Sequence, residues 1–267
     1  FKDSTIQLVI KSNNLRNLKF KEFVKINIPL APINEQKKIV QKIDKIFSHL
    51  DIANEGIQKL PSIIKQFKQN ILEQAISGKL TKDWREKNKT ININKHEFVN
   101  SNKQLHKSKI SDTWVSGNIS DLFLVNPGHK GITIQDNLHV SFVPMASIEE
   151  ENGVIHTELH RQYKEVKSGF TKFIEGDVLF AKITPCMENG KVGIATGLKN
   201  GLGCGTTELH VFREQVRGTN IILFYHFLLE SFRQKAKSNF QGSSGHLRVP
   251  VNFFEDFKID LPPQEEI

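Results

Sequence analysis

A long heptad pattern near the start of the chain constrains its fold more than any other sequence feature. Apolar residues recur in alternating steps of four and three for more than four heptads. This seam consists of Ile39, Ile43, Ile46, Leu50, Ala53, Ile57, Leu60, Ile64, Phe67 and Ile71. It predicts one helix from Asn34, a capping residue, to Gly78, a terminating one. At about 1.5 Å per residue, such a helix would span roughly 65 Å.

Two residues interrupt this helix pattern. Pro61 lacks an amide proton and is expected to kink or split the helix, and Gly56 is a second weak point. An amphipathic helix packed on its own domain would also carry apolar residues on one face. The length favours another interpretation, because helices of globular domains usually have about 8 to 20 residues. We therefore expect a coiled-coil-like arm whose seam packs against a partner helix.

The composition is typical of a folded, basic protein. Hydrophobic residues make up 38% and charged residues 25%, which suits a globular core, and no apolar stretch is long enough to span a membrane. The net charge of +8 favours a polyanionic partner, although many basic proteins have none. Two cysteines are too few for a zinc site and indicate a reduced cytoplasmic protein. Residues 1–4 include no Met and no apolar signal core, so we expect the natural N-terminus to be missing.

The remainder of the chain predicts a linker and then a mixed domain. Residues 82–109 hold eight Lys or Arg and three acids with few apolar residues, which favours a solvated linker over a dedicated DNA-binding arm. From about Asp112 to Val251, strand patterns occur at 140–143, 178–181 and 209–212. The helix predicted next has Thr219 or Asn220 as its cap and, on one face, Ile221, Tyr225, Leu228 and Phe232.

A short phrase is repeated near the two ends. Residues 26–35, Ile-Asn-Ile-Pro-Leu-Ala-Pro-Ile-Asn-Glu, resemble residues 257–266, Phe-Lys-Ile-Asp-Leu-Pro-Pro-Gln-Glu-Glu. A Leu-Arg pair precedes each copy, at Leu15-Arg16 and Leu247-Arg248. Chance similarity in a short phrase is the alternative. A repeat at this distance indicates a duplicated domain plus arm, with an extended Pro-containing strand leading into a helix in each copy.

Each phrase that resembles a catalytic or nucleotide-binding motif lacks an essential part of that motif. Residues 201–205, Gly-Leu-Gly-Cys-Gly, resemble a nucleotide-binding loop, but a strand rather than a helix is predicted after them, which favours a flexible turn. Residues 126–129 lack the second Pro and the aromatic residue of an amino-methyltransferase box, and residues 165–167 lack the Pro-Asp pair of a nuclease motif. The ten His residues show no ligand spacing. No catalytic residue and no metal site are therefore predicted.

Two polar loops, residues 182–191 and 241–248, are better candidates for recognition. Arg and Lys can pair with guanine edges and Gln and Asn with adenine, while Gly lets a backbone approach phosphate. From composition alone, ordinary polar surface loops remain the simpler interpretation. The candidate DNA-contacting residues are Lys182, Asn189, Lys191, Gln241, Ser243, His246 and Arg248.

Several phrases together resemble the specificity subunit of type I restriction–modification enzymes. Residues 28–36 and the seam helix are similar to the central conserved region, with Ala31 where its usual phrase has a first Pro. Residues 74–81 are similar to the ending of that region. Trp114 and residues 176–191 are similar to a common target-recognition domain. Residues 261–266 resemble the start of the distal conserved region, with Ile267 where Gln often stands.

The resemblance implies an α+β fold, a globular target-recognition domain plus a long coiled-coil-like spacer helix. Its implied divisions are the tail of a first target-recognition domain (1–33), the central spacer helix (34–80), a basic linker (81–111), the second target-recognition domain (112–251) and the start of the distal region (252–267). It implies a non-catalytic, cytoplasmic subunit that reads half of a bipartite site in double-stranded DNA. Modification (methyltransferase) subunits and a motor-nuclease restriction subunit would dock on it.

The resemblance also implies that the seam packs against an antiparallel helix of the distal region. The exposed seam is alternatively a candidate for self-association. No cofactor is expected on this chain, since S-adenosylmethionine, Mg and ATP would bind the partner subunits. Two other classes stay open: a standalone DNA methyltransferase or nuclease, and a coiled-coil scaffold whose globular head does not read DNA.

Overall fold

The structure is a computed structural model that describes residues 9–12, 15–88, 105–243 and 245–267. Side chains are described from residue 19 onward within these ranges, except that of Glu22. The middle of the predicted basic linker, 89–104, lies outside the described residues. Contacts divide the chain into two units, Phe1–Ile63 and Ile64–Ile267, so that the division falls inside the longest helix.

The first unit contains a hairpin, a short helix and the first part of the long helix. Strands β1 (Val9–Ser12) and β2 (Leu15–Leu18) pair antiparallel, and α1 spans Phe20–Phe23. Residues 26–32 have no regular secondary structure, and the long helix α2 follows as Ile33–Ile76. In the first repeated phrase the predicted helix is therefore confirmed, whereas the predicted strand before it is wrong.

The ends of α2 follow from local hydrogen bonds. Its first turn forms on Pro32, whose carbonyl accepts from the amides of Glu35 (2.8 Å) and Gln36 (3.0 Å). Asn34 is therefore inside the helix, and its prediction as the cap is wrong, because the proline already fixes a helical φ one residue before Ile33. Pro61 was expected to kink or split the helix, and the split is wrong: the helix continues through Pro61, since one missing amide removes a single bond from a long ladder.

The end of α2 at Gly78 is confirmed. Gly78 has a φ of 66°, in the left-handed region that suits glycine. Its amide donates to Ala75 O and the amide of Lys79 donates to Gln74 O, both at 2.9 Å. These bonds satisfy carbonyls that the last turn of a helix leaves without partners.

Among its described residues, the rest of the second unit contains three sheets, six short α-helices and three 3-10 turns. A three-stranded antiparallel sheet has the order β13-β4-β3, with β3 His106–Lys107, β4 Val115–Asn118 and β13 Lys258–Leu261. An antiparallel sheet β10-β9-β12-β5 contains β5 Phe123–Val125, β9 Val178–Ala181, β10 Val192–Ile194 and β12 Leu209–Glu214. The mixed sheet β7-β6-β11-β8 contains β6 His139–Val143, β7 His160–Gln162, β8 Thr171–Ile174 and β11 Leu202–Gly205. The helices are α3 Lys82–Lys87, α4 Ile119–Leu122, α5 Tyr163–Val166, α6 Thr219–Leu228, α7 Glu230–Ser238 and α8 Phe253–Asp256.

The α+β class and the three predicted strands are confirmed by β6, β9 and β12. The Gly-rich phrase at 201–205 is not a flexible turn, because Leu202–Gly205 forms the buried strand β11 between β6 and β8. Its glycines leave room for neighbours. A Cβ on Gly203 would lie 2.0 Å from the Phe173 ring, and one on Gly205 would lie 2.4 Å from Val143 O.

The single helix predicted after residue 219 is two helices, α6 and α7. They meet at Leu229, whose extended ψ of 129° breaks the helix. The cap is Gly218 at a φ of 90°, not Thr219 or Asn220. The predicted apolar face is also partly wrong, because Ile221 and Tyr225 are exposed.

A cluster of phenylalanines forms the main core of the second unit. Phe180 of β9 and Phe212 of β12 lie against Phe227 of α6, with ring centroids 4.7 and 5.0 Å apart. Phe254 of α8 packs on Phe212 at 4.8 Å. Phe232 of α7 also packs on Phe227, at 5.0 Å. The same cluster thus holds β9 and α7, the two elements that precede the polar loops.

The part of α2 that belongs to the second unit packs on the rest of that unit through a face next to the seam. Gln69 accepts a bond from the Glu230 amide (2.7 Å) and donates to Leu228 O (3.1 Å), which holds the junction of α6 and α7. Leu72 and Ile76 pack against the core. The seam stays exposed: its residues other than Ala53 have exposed fractions between 40% and 64%. The helix therefore reaches its own domain without using the seam.

Candidate functional site

The two polar loops identified in the sequence lie side by side. Arg248 forms isolated β-bridges with both Ile183 and Gln241. The Thr184 amide donates to Leu247 O at 3.0 Å, and the Val249 amide donates to Lys182 O at 2.8 Å. Residues 182–191 and 241–248 thus form one surface, which we call the loop pair.

The sheet register brings a carboxylate to the loop pair. Leu209 of β12 pairs with Ala181 of β9, so the residue before β12, Glu208, lies opposite the residue after β9, Lys182. The Lys182 amide donates to Glu208 O at 3.0 Å. An acidic side chain, Glu208, therefore lies beside the two loops, whose candidate DNA-contacting residues include Lys182, Lys191 and Arg248.

Arg248 is held by this carboxylate in a bidentate ion pair. Its Nε donates to Glu208 Oε2 at 2.7 Å and its Nη2 donates to Oε1 at 2.8 Å, while Nη1 donates to His246 O at 2.8 Å. Hydrogen bonding from Arg248 holds the pKa of Glu208 below its usual value. Burial, with the Arg248 charge as a further contribution, lowers the pKa of Lys182. The guanidinium is thus oriented in advance and remains partly exposed.

The turn 241–246 presents the exposed polar groups of the loop pair. Gln241, Ser243 and His246 are all exposed. The His246 amide donates to Ser243 O at 3.0 Å, which closes the turn. Gly242 has a φ of 120°, and a Cβ there would lie 2.8 Å from His246 O, so the turn requires glycine.

Asn189 and Lys191 have partners in the neighbouring segment 145–150. Asn189 Nδ2 donates to Glu150 Oε1 at 2.9 Å, and Lys191 Nζ donates to Ile148 O at 2.6 Å. Of the seven candidates, Gln241 and Arg248 bond to each other through their backbones, and Lys182 bonds to Val249, the residue after Arg248. Ser243 and His246 lie in the turn between Gln241 and Arg248. Asn189 and Lys191 brace the other side of the first loop. Their contact with DNA stays a prediction, as does that of all seven.

A buried histidine supports the loop pair from below. His210 Nε2 lies 2.9 Å from Val249 O, and its Nδ1 lies 3.2 Å from Asn126 Nδ2. Burial lowers the pKa of His210 to about 4. The neutral ring then donates from Nε2 to the carbonyl and accepts from the Asn126 amide at Nδ1. His210 thereby fixes the backbone at Val249, next to Arg248.

Sequence patterns missed Glu208, His210 and an ion pair between Glu188 and Lys237 (2.9 Å). Glu188 also accepts a hydrogen bond from Thr184 within the first loop. One signal was available: Lys182 directly follows one predicted strand and Glu208 directly precedes another. Antiparallel pairing of those strands would have placed the two residues together. The Glu188–Lys237 pair joins a loop to a helix, and no spacing rule predicts it.

The described ranges contain no group of three His, Cys, Asp or Glu residues that could hold a metal ion. Among the same residues, no helix is both long and apolar enough to cross a membrane. Cys186 and Cys204 are both free thiols, and Cys204 is buried in β11. The expectation that this chain binds no cofactor stays a prediction.

The sequence region that contains the loop pair identifies the protein family. Residues 111–266 match the model of the type I restriction modification DNA specificity domain. The chain belongs to this family. It is 35% identical over 225 residues to the type I restriction enzyme EcoAI specificity subunit of Escherichia coli, an alignment that covers 76% of this chain and 37% of that protein. It is 34% identical over 223 residues to the EcoEI specificity subunit of the same species, with the same coverage of each. The chain thus spans little more than a third of these relatives.

A solved structure shares the fold. The HsdS subunit from Thermoanaerobacter tengcongensis superposes with a TM-score of 0.50 at 14% identity, over 99% of this chain and 56% of that one. The agreement over nearly the whole chain supports the α+β architecture with its long helix.

Proposed function

We propose that this chain belongs to a non-catalytic specificity subunit, in which the domain at residues 112–251 reads one half of a bipartite DNA site. One observation carries the proposal: the two loops with base-reading side chains are joined into a single surface inside the family-matched region. Sequence-specific contact needs several donors and acceptors held at fixed relative positions. The β-bridges through Arg248 and the His210 bond supply that rigidity.

The exposed groups of the loop pair fit the edges of base pairs. Gln241 can bond adenine at two atoms, and Arg248 can bond guanine likewise, provided that it shares or exchanges Glu208. The ion pair holds the guanidinium in one orientation and offsets its charge when DNA is absent. Such an arrangement favours a correctly placed base over a bare phosphate, because a phosphate alone must compete with Glu208.

The long helix is proposed as a spacer between two recognition domains. Its seam is exposed, although the neighbouring face already packs within the second unit through Gln69, Leu72 and Ile76. A row of large apolar side chains in water is costly, and a heptad seam favours a second helix as its cover. An antiparallel helix of the same subunit, or the seam of another copy, would cover these apolar side chains.

The repeated phrase supports a first recognition domain that includes residues 1–33. In the second copy, Ile259 and Leu261 are buried, at 2% and 0% exposure, within strand β13. In the first copy, the corresponding Ile28 and Leu30 are 67% and 85% exposed. The same apolar pattern therefore has a domain to cover it in one copy, and we propose an equivalent domain for the other.

The proposed partners are double-stranded DNA, modification (methyltransferase) subunits and a restriction (motor-nuclease) subunit, in the cytoplasm. S-adenosylmethionine, Mg and ATP would bind those other subunits rather than this chain. Both curated relatives are named as specificity subunits of type I restriction enzymes, which supports this division of roles.

The loop pair can be tested with one arginine substitution and a matched control. Arg248→Ala in the full-length protein, assembled with its modification subunits, should weaken binding to the cognate half-site by about 10- to 100-fold, since a bidentate base contact contributes about 1–3 kcal/mol. Binding to random DNA should fall much less. Arg217→Ala removes an exposed arginine elsewhere on the domain and should leave the preference for the half-site unchanged.

Equal losses on cognate and random DNA would reduce Arg248 to a phosphate contact. Methyl transfer or DNA cleavage by the purified chain without partners would instead establish a standalone enzyme. No salt-dependent DNA binding, alone or in the complex, would favour a scaffold protein.

A further inference from the structure

A buried polar cluster joins the end of the long helix to the last turn of the described chain. Its members are Thr81, Arg85, Trp114 and Glu266, which we call the Arg85 clamp. Arg85 Nη1 and Thr81 Oγ1 both donate to Glu266 Oε1, and Trp114 Nε1 donates to Oε2 at 2.8 Å. All donor and acceptor atoms belong to the second unit.

Arg85 also binds the helix end itself. Its Nη2 donates to the carbonyl of Gly78, the residue that terminates α2, and its Nη1 donates to Thr81 Oγ1 at 2.7 Å. The guanidinium carbon lies 5.5 Å from the centre of the Trp114 ring. A Cβ on Gly78 would come within 2.9 Å of Arg85 Nη1 and 3.1 Å of the Trp114 ring. The helix end therefore fits against the clamp only as glycine.

The burial of the clamp sets it apart from the surface ion pairs. The Glu266 side chain is fully buried and that of Arg85 is 14% exposed. A buried carboxylate needs a charged partner and hydrogen bonds to both oxygens, and the clamp supplies all of these. Surface pairs such as Lys82–Glu86 on the same short helix are exposed and contribute little.

The position of Glu266 in the repeated phrase relates the clamp to the start of a helix. The helical turn Gln264–Glu266 begins at the residue that corresponds to Ile33, where α2 begins in the first copy. Glu266 therefore lies at the start of the second copy of a helix-starting phrase, and the clamp ties it to the end of α2. The end of α2 and this turn are therefore held at one point on the domain.

We propose that the Arg85 clamp is the positioning device that sets the spacing between the two half-sites which the assembled protein accepts; this rests on the proposed function. The clamp fixes where one helix ends and the next turn begins relative to the recognition domain. A spacer of fixed length defines a fixed gap only if its attachment to the reader is rigid. Loss of the clamp leaves the loop pair intact and loosens that attachment.

The experiment compares three duplexes that carry both cognate half-sites with the native spacer, one base pair fewer or one more. The full-length protein is assembled with its modification subunits, and affinities are measured by competition. Arg85→Ala should reduce the preference for the native spacer by about tenfold, equivalent to about 1.4 kcal/mol. Affinity for a single isolated half-site should stay within about twofold, because the clamp does not touch the loop pair. Glu86→Gln removes the exposed pair on the same helix and should preserve the preference.

Arg85→Ala leaves a buried carboxylate without its cation and so can destabilise the fold. A second, milder variant therefore tests the same cluster. Trp114→Phe removes only the indole donor and keeps an aromatic ring, and it should relax the spacer preference in the same direction but less. The proposal is overturned if both variants fold and keep the wild-type preference for the native spacer. If Arg85→Ala does not fold, an unchanged spacer preference in Trp114→Phe alone overturns it. A parallel loss of half-site affinity also overturns it, because the clamp would then serve the fold of the reader. Failure of the wild type to distinguish the half-site from random DNA would instead reject the proposed function.

Discussion

At the scale of single residues, the structure depends on histidines that are kept neutral. Burial lowers the pKa values of His210 and His226 to about 4 each. His210 uses both ring nitrogens in the support of the loop pair, whereas His226 Nδ1 is buried without a partner among the described residues. Protonation of either ring would place a charge in an apolar core, and at His210 it would set two donors against each other.

These shifts predict an acid-sensitive fold. In the unfolded chain both histidines titrate near 6.5, so between pH 4 and 6.5 the unfolded state binds more protons than the folded state. Their contribution to stability is complete above pH 6.5 and is lost as the pH falls through that window. We expect His226→Leu to reduce the loss in unfolding free energy between pH 7 and pH 5 by about 2 kcal/mol.

Urea denaturation at the two pH values measures this effect. His139→Leu changes an exposed histidine and should keep the full wild-type pH dependence. Equal pH dependence in wild type and His226→Leu would show that His226 is not held neutral by burial.

The residue scale also shows the limit of composition as a guide. Residue type alone predicts the seven polar candidates. In the structure, the backbones of Gln241 and Arg248 bond to each other, and that of Lys182 bonds to Val249. Composition could not identify Glu208 as the partner of Arg248, because that contact depends on the register of β9 and β12. Nor could it show that Lys191 binds a carbonyl of the segment before Glu150.

At the scale of elements, the long periodic helix was predictable and the short elements were less so. Heptads sustained over many turns have one simple solution, and α2 confirms it from Ile33 to Ile76. Strand β11 was missed because its glycines are normally turn residues, and they are required here by the Phe173 ring and by Val143 O. The break between α6 and α7 at Leu229 leaves no Gly or Pro signal in the sequence.

Substitutions on and off the seam of α2 test whether a partner helix covers it. Ile57 lies on the seam and Ile52 lies off it, and both are isoleucines of α2 with nearly equal exposure, 64% and 65%. In the full-length protein, Ile57→Glu should lower the unfolding free energy by about 2 kcal/mol or more, because a buried apolar contact with a partner helix is lost. Ile52→Glu should change it by less than about 0.5 kcal/mol.

Chemical denaturation monitored by far-UV circular dichroism provides both values. Equal effects of the two substitutions would mean that no helix covers the seam. Since Glu is a better helix former than Ile, an uncovered helix would tolerate both.

At the scale of the whole molecule, the proposed attachment and recognition sites lie in different parts of one domain. The loop pair follows β9 and α7, whereas the Arg85 clamp and the Gln69 contacts hold the long helix. This separation would let the loops vary without altering the spacer. It also explains why fold and family could be recognised from helix, repeat and phrases, while the bases recognised could not, because side-chain aim at base edges depends on loop geometry.

The intact protein is proposed to direct modification to a split DNA sequence. Methylome sequencing of cells with and without the intact gene tests it most directly. We predict a bipartite adenine-methylated motif that is present with the gene and lost without it. An identical set of methylated motifs in the two strains would contradict the account.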